Sequence, residues 1–235
     1  MAKLRFKITK DDQIRYVSHL DYAGTIERAV RRAQLPAAYS EGFNPHMKLS
    51  FASALAVGVT SDAEYLDLEL TEEADIGSVK ARLKPELPSG VRLEAARYMG
   101  PRSQALMAVV NLATYEVLVS LKTGVDWEQA AASIDRFNQE VAVIYIKQSP
   151  KGRREIDIKE YLAAPVAASP VSGTKNTIAI SLAIKITPGG SVKPVEVLNL
   201  LADSFDIPVD KENALIHRNG LFVTDGRVTR TPLEL

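Results

Sequence analysis

KLRFKITKDDQIRYVSHLDYAGTIERAVRRAQ, residues 3–34, decides the fold, because its hydrophobic period switches from that of a strand to that of a helix. Leu4, Phe6 and Ile8 alternate with Arg5, Lys7 and Thr9, which predicts a strand with one face in the core and the other in solvent. Asp11-Asp12 turns the chain, and a short extended run covers Ile14 to Val17. Ser18, with Asp21 three residues on, resembles a capping box in which Asp stands in for Glu. From His19 to about Gln34 the positions Leu20, Ala23, Ile26, Val30 and Ala33 fall at helical spacing. Arg28, Arg31 and Arg32 lie mostly off that stripe and give the helix a cationic outer side.

Working outward, Pro36 ends the helix, and Tyr39 to His46 is a loop of turn formers and hydrogen-bonding groups. Strands are expected at Lys48–Ala52 and Glu64–Leu70, a helix capped by Asp75, and a strand from Val91 to about Tyr98 after the turn Pro88-Ser89-Gly90. The order is βαββαβ, the ferredoxin-like split arrangement. Past a junction near Gly100-Pro101 the pattern partly repeats: strand Tyr115–Lys122, helix Trp127–Asn138, strands Val143–Gln148 and Glu155–Tyr161. A loop rich in Ala, Pro, Ser and Gly follows at Ala163–Asn176, then a strand to Ile186, a helix Pro194–Phe205 and a strand near Leu221–Thr224. The expected fold class is therefore α+β, two tandem ferredoxin-like units, the first over residues 1–100 and the second over 101–235.

Composition narrows the chemistry. With no cysteine, the chain has no disulfide, thiolate metal site, cysteine nucleophile or cysteine-held iron–sulfur cluster. Twenty-nine Lys and Arg balance twenty-nine Asp and Glu, so attraction to nucleic acid has to come from a local face rather than from net charge. No stretch approaches the ~20 apolar residues of a membrane span, and the opening MAKLRFKITKDD has no apolar signal core, which places the chain in the cytoplasm by default.

The densest polar set runs from Ser18 to Ser50. His19, Asp21 and His46 suit proton transfer or zinc, though the spacing favours a helix start and a braced loop. Arg28, Arg31, Arg32 and Lys48 make a candidate phosphate-binding side, with Tyr39 and Phe43 available to stack a base. The plain alternative is a solvated helix face with Glu27 paired to Arg31, which leaves Arg28 and Arg32 free. Ser40, Gly42, Asn44 and Pro45 complete the loop as candidate binding residues. A second basic loop carries Lys151, Arg153 and Arg154, and charged loops are usually only solvated. His217-Arg218-Asn219-Gly220 is explained as a turn. Gly189-Gly190 lacks the spacing of any nucleotide motif.

The stretch RYVSHLDYAGTIERAVRRAQLPAAYSEGFNPHMKLSFASALAVGVTSDAEYLDLEL, residues 15–70, resembles the bacterial radical SAM-associated protein family, through SHLD, ERAxRRAxLPxAYSxGFNPH and the EYxDxEL run. EIDIKEYL and KPVEVLNLL extend the likeness more loosely through the second half. Met47 stands where many relatives carry Pro, which touches only local turn geometry. The resemblance implies a partner, a separate radical SAM enzyme carrying an iron–sulfur cluster, S-adenosylmethionine and, as a further option, cobalamin. It also implies a setting near ribosomal-protein and ribonuclease genes. This chain itself is expected to hold no cofactor and no metal. It lacks the Asp-x-His-x-x-Gly signature of cobalamin proteins as well as cysteine.

Three functions follow as expectations. The first is a non-catalytic accessory protein that presents substrate, RNA or a ribosomal component, to that enzyme. The second is a stand-alone RNA-binding or endoribonuclease-like protein, by analogy of fold alone. The third is a protein-docking module in ribosome assembly that uses the Gly42-Phe43-Asn44-Pro45 loop.

Overall fold

A computed structural model describes residues 2–149, 152–174 and 176–235. The chain divides into two compact units. One comprises the residues up to Asn111 together with Arg218–Leu235, and the other comprises Leu112–His217. The sequence placed the junction at residue 100 and gave everything after it to the second unit. In the structure the second unit is instead an insertion, after which the chain returns to the first.

The first unit opens with β1 (Ala2–Lys10) and α1 (His19–Arg32), then β2 (Leu49–Phe51), β3 (Val59–Leu70), α2 (Ile76–Leu83), β4 (Leu93–Met99) and the single-turn α3 (Leu106–Val109). The β1–β3, β1–β4 and β2–β3 pairs are antiparallel, so β4, β1 and β3 run side by side and the short β2 pairs with β3. Leu4, Phe6 and Ile8 on β1 and Leu66, Leu68 and Leu70 on β3 share one face. Tyr22, Ile26 and Val30 of α1 and Val79 and Leu83 of α2 pack against it. Each such side chain, fully buried, contributes roughly 1.5–3 kcal/mol. Ser18 and Asp75 cap α1 and α2 as the sequence predicts. Where an extended run is expected at Ile14–Val17, a 3-10 turn, Asp12–Ile14, leads into a turn at Arg15-Tyr16, and Lys10 and Arg15 fasten it from within.

The other face of β1 departs from expectation, because Arg5 is fully buried and Thr9 nearly so. The alternation predicts a half-exposed strand, but the short helix Pro232–Glu234 packs on that face at Arg5. Arg5 lies opposite Asp67 and donates to both of its carboxylate oxygens, at 2.6 and 2.9 Å, and to the carbonyl of Pro232 at 2.8 Å.

The second unit holds β5 (Leu112–Ser120), α4 (Trp127–Gln139), β6 (Ile144–Ser149), β7 (Gly152–Asp157), β8 (Ala167–Pro170), β9 (Thr177–Lys185) and α5 (Pro194–Ser204). Its sheet runs β5-β9-β8, with both pairs antiparallel. The expected repeat of the first unit's order is not found among its described residues, because β6 and β7 pair with each other as a separate hairpin. β8 forms inside the Ala/Pro/Ser/Gly stretch read as loop, since the adjacent edge of β9 offers it backbone partners.

β10 (Leu215–Thr224) and the two-residue β11 (Thr229–Arg230) close the chain. β10 neighbours β3, and Arg218 of β10 meets Glu64 of β3 at 2.9 Å. The Asn219-Gly220 pair is therefore strand and not turn. Burial of Ile216, Arg218 and Gly220 on one side overrides the local turn preference of the dipeptide.

Candidate functional site

The N-terminus of α1 sits on a layer of buried charge. Ser18 takes extended backbone angles and its Oγ accepts from the Asp21 N–H at 3.2 Å, while the hydroxyl donates to the Asp21 carboxylate at 2.7 Å. Asp21 thus turns back on the cap. His19, the first helical residue, lies edge-on to Phe51 with ring centroids 5.2 Å apart. Its Nδ1 is shut away from solvent without a hydrogen-bond partner. Burial holds the imidazole below its ordinary value; the Glu64 charge opposes this, and the Arg218 and Lys10 cations reinforce it.

Beneath His19, Lys10 is almost wholly buried and donates to the carbonyls of Arg15 at 2.8 Å and Val59 at 3.3 Å. Burial also lowers the Lys10 ammonium, partly offset by Glu64. Tyr22 donates to the carbonyl of Thr9 at 2.6 Å, and its phenol is raised far above the ordinary range by burial and by the charges of Glu64 and Asp11. Arg15 donates to Asp12 and to the carbonyl of Gly58. Glu64 is the carboxylate that both Lys10 and Arg218 feel. Such groups persist in a core only when paired, and displaced titrations of this kind mark candidate functional positions. Sequence reasoning missed Lys10, Glu64 and Arg218. The available signal was charge inside the apolar runs of β1 and β3.

The helix face and loop divide the expected cations differently from the prediction. Arg32, expected to be free, pairs with Glu86 at 2.8 Å and donates to the same residue's carbonyl. Arg31 lies only 3.8 Å from Glu27, a loose exposed pair. Arg28 donates to the neutral Thr25 hydroxyl. Lys48 lies 3.4 Å from Glu69.

The loop is closed at its base, where Tyr39 and Met47 bridge, the Ser40 N–H donates to the His46 carbonyl at 2.8 Å, and the His46 N–H donates to Ser40 Oγ at 2.9 Å. Gly42 adopts φ +115°, open only to glycine at low cost. Residues 41–46 are all exposed, and Phe43 stands in solvent without any cover. Asn44 and Pro45 occupy the same exposed arc. His19 is thus a packed ring whose burial disfavours its charged form, and His46 an exposed loop-base residue. Among the described residues no three His, Asp or Glu side chains converge as a metal would require.

In the second unit the basic hairpin places Arg153 and Arg154 on β7, both exposed; Lys151 lies outside the described residues. Among the described residues no helix is long and apolar enough to cross a membrane.

The family model described as uncharacterized protein conserved in bacteria (DUF2344) matches residues 3–194. No curated protein matches. Among solved structures, a chain of a Cbf5-Nop10-Gar1 complex matches with a TM-score of 0.51 at 11% identity, over 92% of this chain and 49% of that one. A chain of an H/ACA RNP bound to a substrate RNA containing 2'-deoxyuridine matches with a TM-score of 0.46 at 10% identity, over 91% and 46% of the two chains. The present chain thus spans about half the length of the chains it matches. At this identity the first likeness shows a shared mixed α+β chain arrangement and the second adds nothing to it.

Proposed function

The chain belongs to that bacterial family, and from this premise we propose that it is a non-catalytic accessory protein of the cytoplasm that holds RNA for a separate enzyme. The observation that carries the reading is Phe43, fully exposed at the tip of a loop whose base is fixed by Ser40 and His46. An aromatic ring left in water forgoes roughly 1.5–3 kcal/mol of burial. A braced loop that keeps it there presents it to a partner. Stacking on such rings is how single strands are held without sequence preference, at about 1–3 kcal/mol per base. Arg28, which among the described residues donates only to the Thr25 hydroxyl, and the loosely paired Arg31 supply cations in the same unit.

The enzyme that receives the substrate is, in this reading, a radical SAM enzyme. The likeness of residues 15–70 to radical SAM-associated proteins supports it. In this reading any cluster of that reaction is held outside these 235 residues, which carry no cysteine. We further read the first unit, in which β4, β1 and β3 run side by side and β2 pairs with β3, as ferredoxin-like.

Fluorescence anisotropy of a short labelled single-stranded RNA at two salt concentrations tests the proposal. Binding that weakens with salt and falls about ten- to a hundredfold in Phe43→Ala supports it, since one stacked base is worth that much. Absence of binding at low salt refutes the RNA reading. A second reading, docking of a protein on the same loop, is favoured by the apolar tip. Capture of the radical SAM enzyme that depends on Phe43 and is insensitive to salt would select it.

A further inference from the structure

Lys147 and Arg154 lie directly opposite each other in the β6–β7 ladder, on the same face of the hairpin. Like charges in that relation destabilise a ladder unless something of opposite sign lies between them. Both line one cleft of about 220 Å3.

The Lys147 ammonium is anchored, donating to the Ser191 carbonyl at 2.6 Å and to Glu196 Oε2 at 3.3 Å. That carboxylate oxygen also accepts the Lys193 N–H at 2.7 Å as part of the α5 capping box. Glu196 is therefore shared, and its charge is felt as far as the Tyr145 phenol, which burial and Glu196 together raise. Among the described residues the Arg154 guanidinium has no ion pair or hydrogen bond, although its five donors form a fork suited to an oxyanion. Two cations face one carboxylate, which leaves one positive charge in the cleft.

The wall opposite is backbone. Thr187 and Gly190 exchange two hydrogen bonds of 2.9 Å, and Gly190 sits at φ +119°. The Gly189 and Ser191 N–H groups are used by no hydrogen bond among the described residues, and they flank this turn. Tyr161 adds a phenol, and the buried Ile156 side chain gives the cleft an apolar floor.

We propose that this cleft binds a phosphodiester group of RNA, with Arg154 and Lys147 on its oxygens and the Gly189–Ser191 backbone closing over it. A single net positive charge matches a phosphodiester monoanion. The choice of RNA as the bearer of that group rests on the function proposed above.

The test uses the full chain, a short labelled single-stranded RNA, and the variants Arg154→Ala and Phe43→Ala. Arg154→Ala is expected to weaken RNA binding about tenfold, the worth of one charge-assisted contact. The slope of log affinity against log salt should shrink by about 0.7, the value for one single-strand phosphate. The melting temperature of the free variant should be equal to or above that of the parent, since the opposed charge is gone, a result a merely structural arginine would not give. Millimolar inorganic phosphate should shift the Gly189 and Ser191 amide resonances in the parent and not in Arg154→Ala. If Arg154→Ala binds RNA like the parent while Phe43→Ala does not, this inference fails and the proposed function stands. If the parent binds no RNA, that function fails; the phosphate-induced shifts then decide this cleft alone, their presence supporting a phosphate site and their absence overturning it.

Discussion

Glu64→Gln isolates the buried charge under α1. Glutamine keeps the volume and removes the charge, so any loss is electrostatic. Glu64 and Arg218 are only 1% and 4% exposed at their side chains, and the contact is 2.9 Å. Breaking a buried pair from one side costs about 3–5 kcal/mol, because the remaining ion is left uncompensated. Arg218 keeps the Ala54 carbonyl, so the lower end, about 3 kcal/mol, is expected. That is a large share of the roughly 5–15 kcal/mol that holds a domain together. Urea unfolding followed by far-UV circular dichroism measures it, while fluorescence of the single tryptophan, Trp127, follows the second unit on its own. Glu64→Gln/Arg218→Met should recover much of the loss, since with the guanidinium also removed no uncompensated ion is left buried at that position. There is also a signature in pH. Lys10 has a folded value below 10.5, so the unfolded chain binds more protons in the window below that value, and stability rises with pH across it. Glu64 opposes the depression, so the variant should show a wider window reaching to lower pH. A single variant within about 0.5 kcal/mol of the parent, or a double variant no better than the single, would refute the reasoning.

Two further outcomes are expected. His19 should titrate below 6.5 by NMR, and because its folded form resists protonation, stability should fall as pH drops from 6.5 through that lower value; His19→Phe should remove this part of the pH dependence, and an unchanged slope contradicts the burial argument. Gly90→Ala should cost more than about 1 kcal/mol in urea unfolding, since Gly90 sits at φ +90° and a new Cβ would come within 3.0 Å of Ile14 Cγ1; a neutral result would mean that the turn after Pro88 relaxes freely.

Local signals in the sequence carried the regular elements well. Ser18 and Asp75 begin their helices where capping predicts, and α4 and α5 begin at Trp127 and Pro194 as expected. What stayed illegible depends on contacts distant in sequence. The short helix at Pro232 hides the face of β1 that Arg5 occupies, and no periodicity within β1 announces a cover 227 residues away. Asn219-Gly220 carries a turn preference that the packing around Arg218 overrides. Arg32 looks free in the sequence because its partner, Glu86, lies 54 residues on, beyond the reach of helix spacing rules. Of the candidate site, the Tyr39–His46 loop was recognisable from its turn formers, whereas the buried Lys10, Glu64 and Arg218 became visible only when β1, β3 and β10 were brought together.

The return of Arg218–Leu235 to the first unit also bears on how the molecule is made. During synthesis, Glu64 and Arg5 leave the ribosome long before Arg218 and Pro232 exist to receive them. The first unit therefore waits with Glu64 lacking Arg218, and with Arg5, though paired to Asp67, lacking the Pro232 carbonyl, until the inserted Leu112–His217 segment has been translated. A premature stop anywhere in that segment would release a chain that contains every residue of the Phe43 loop and yet cannot finish the body that carries it.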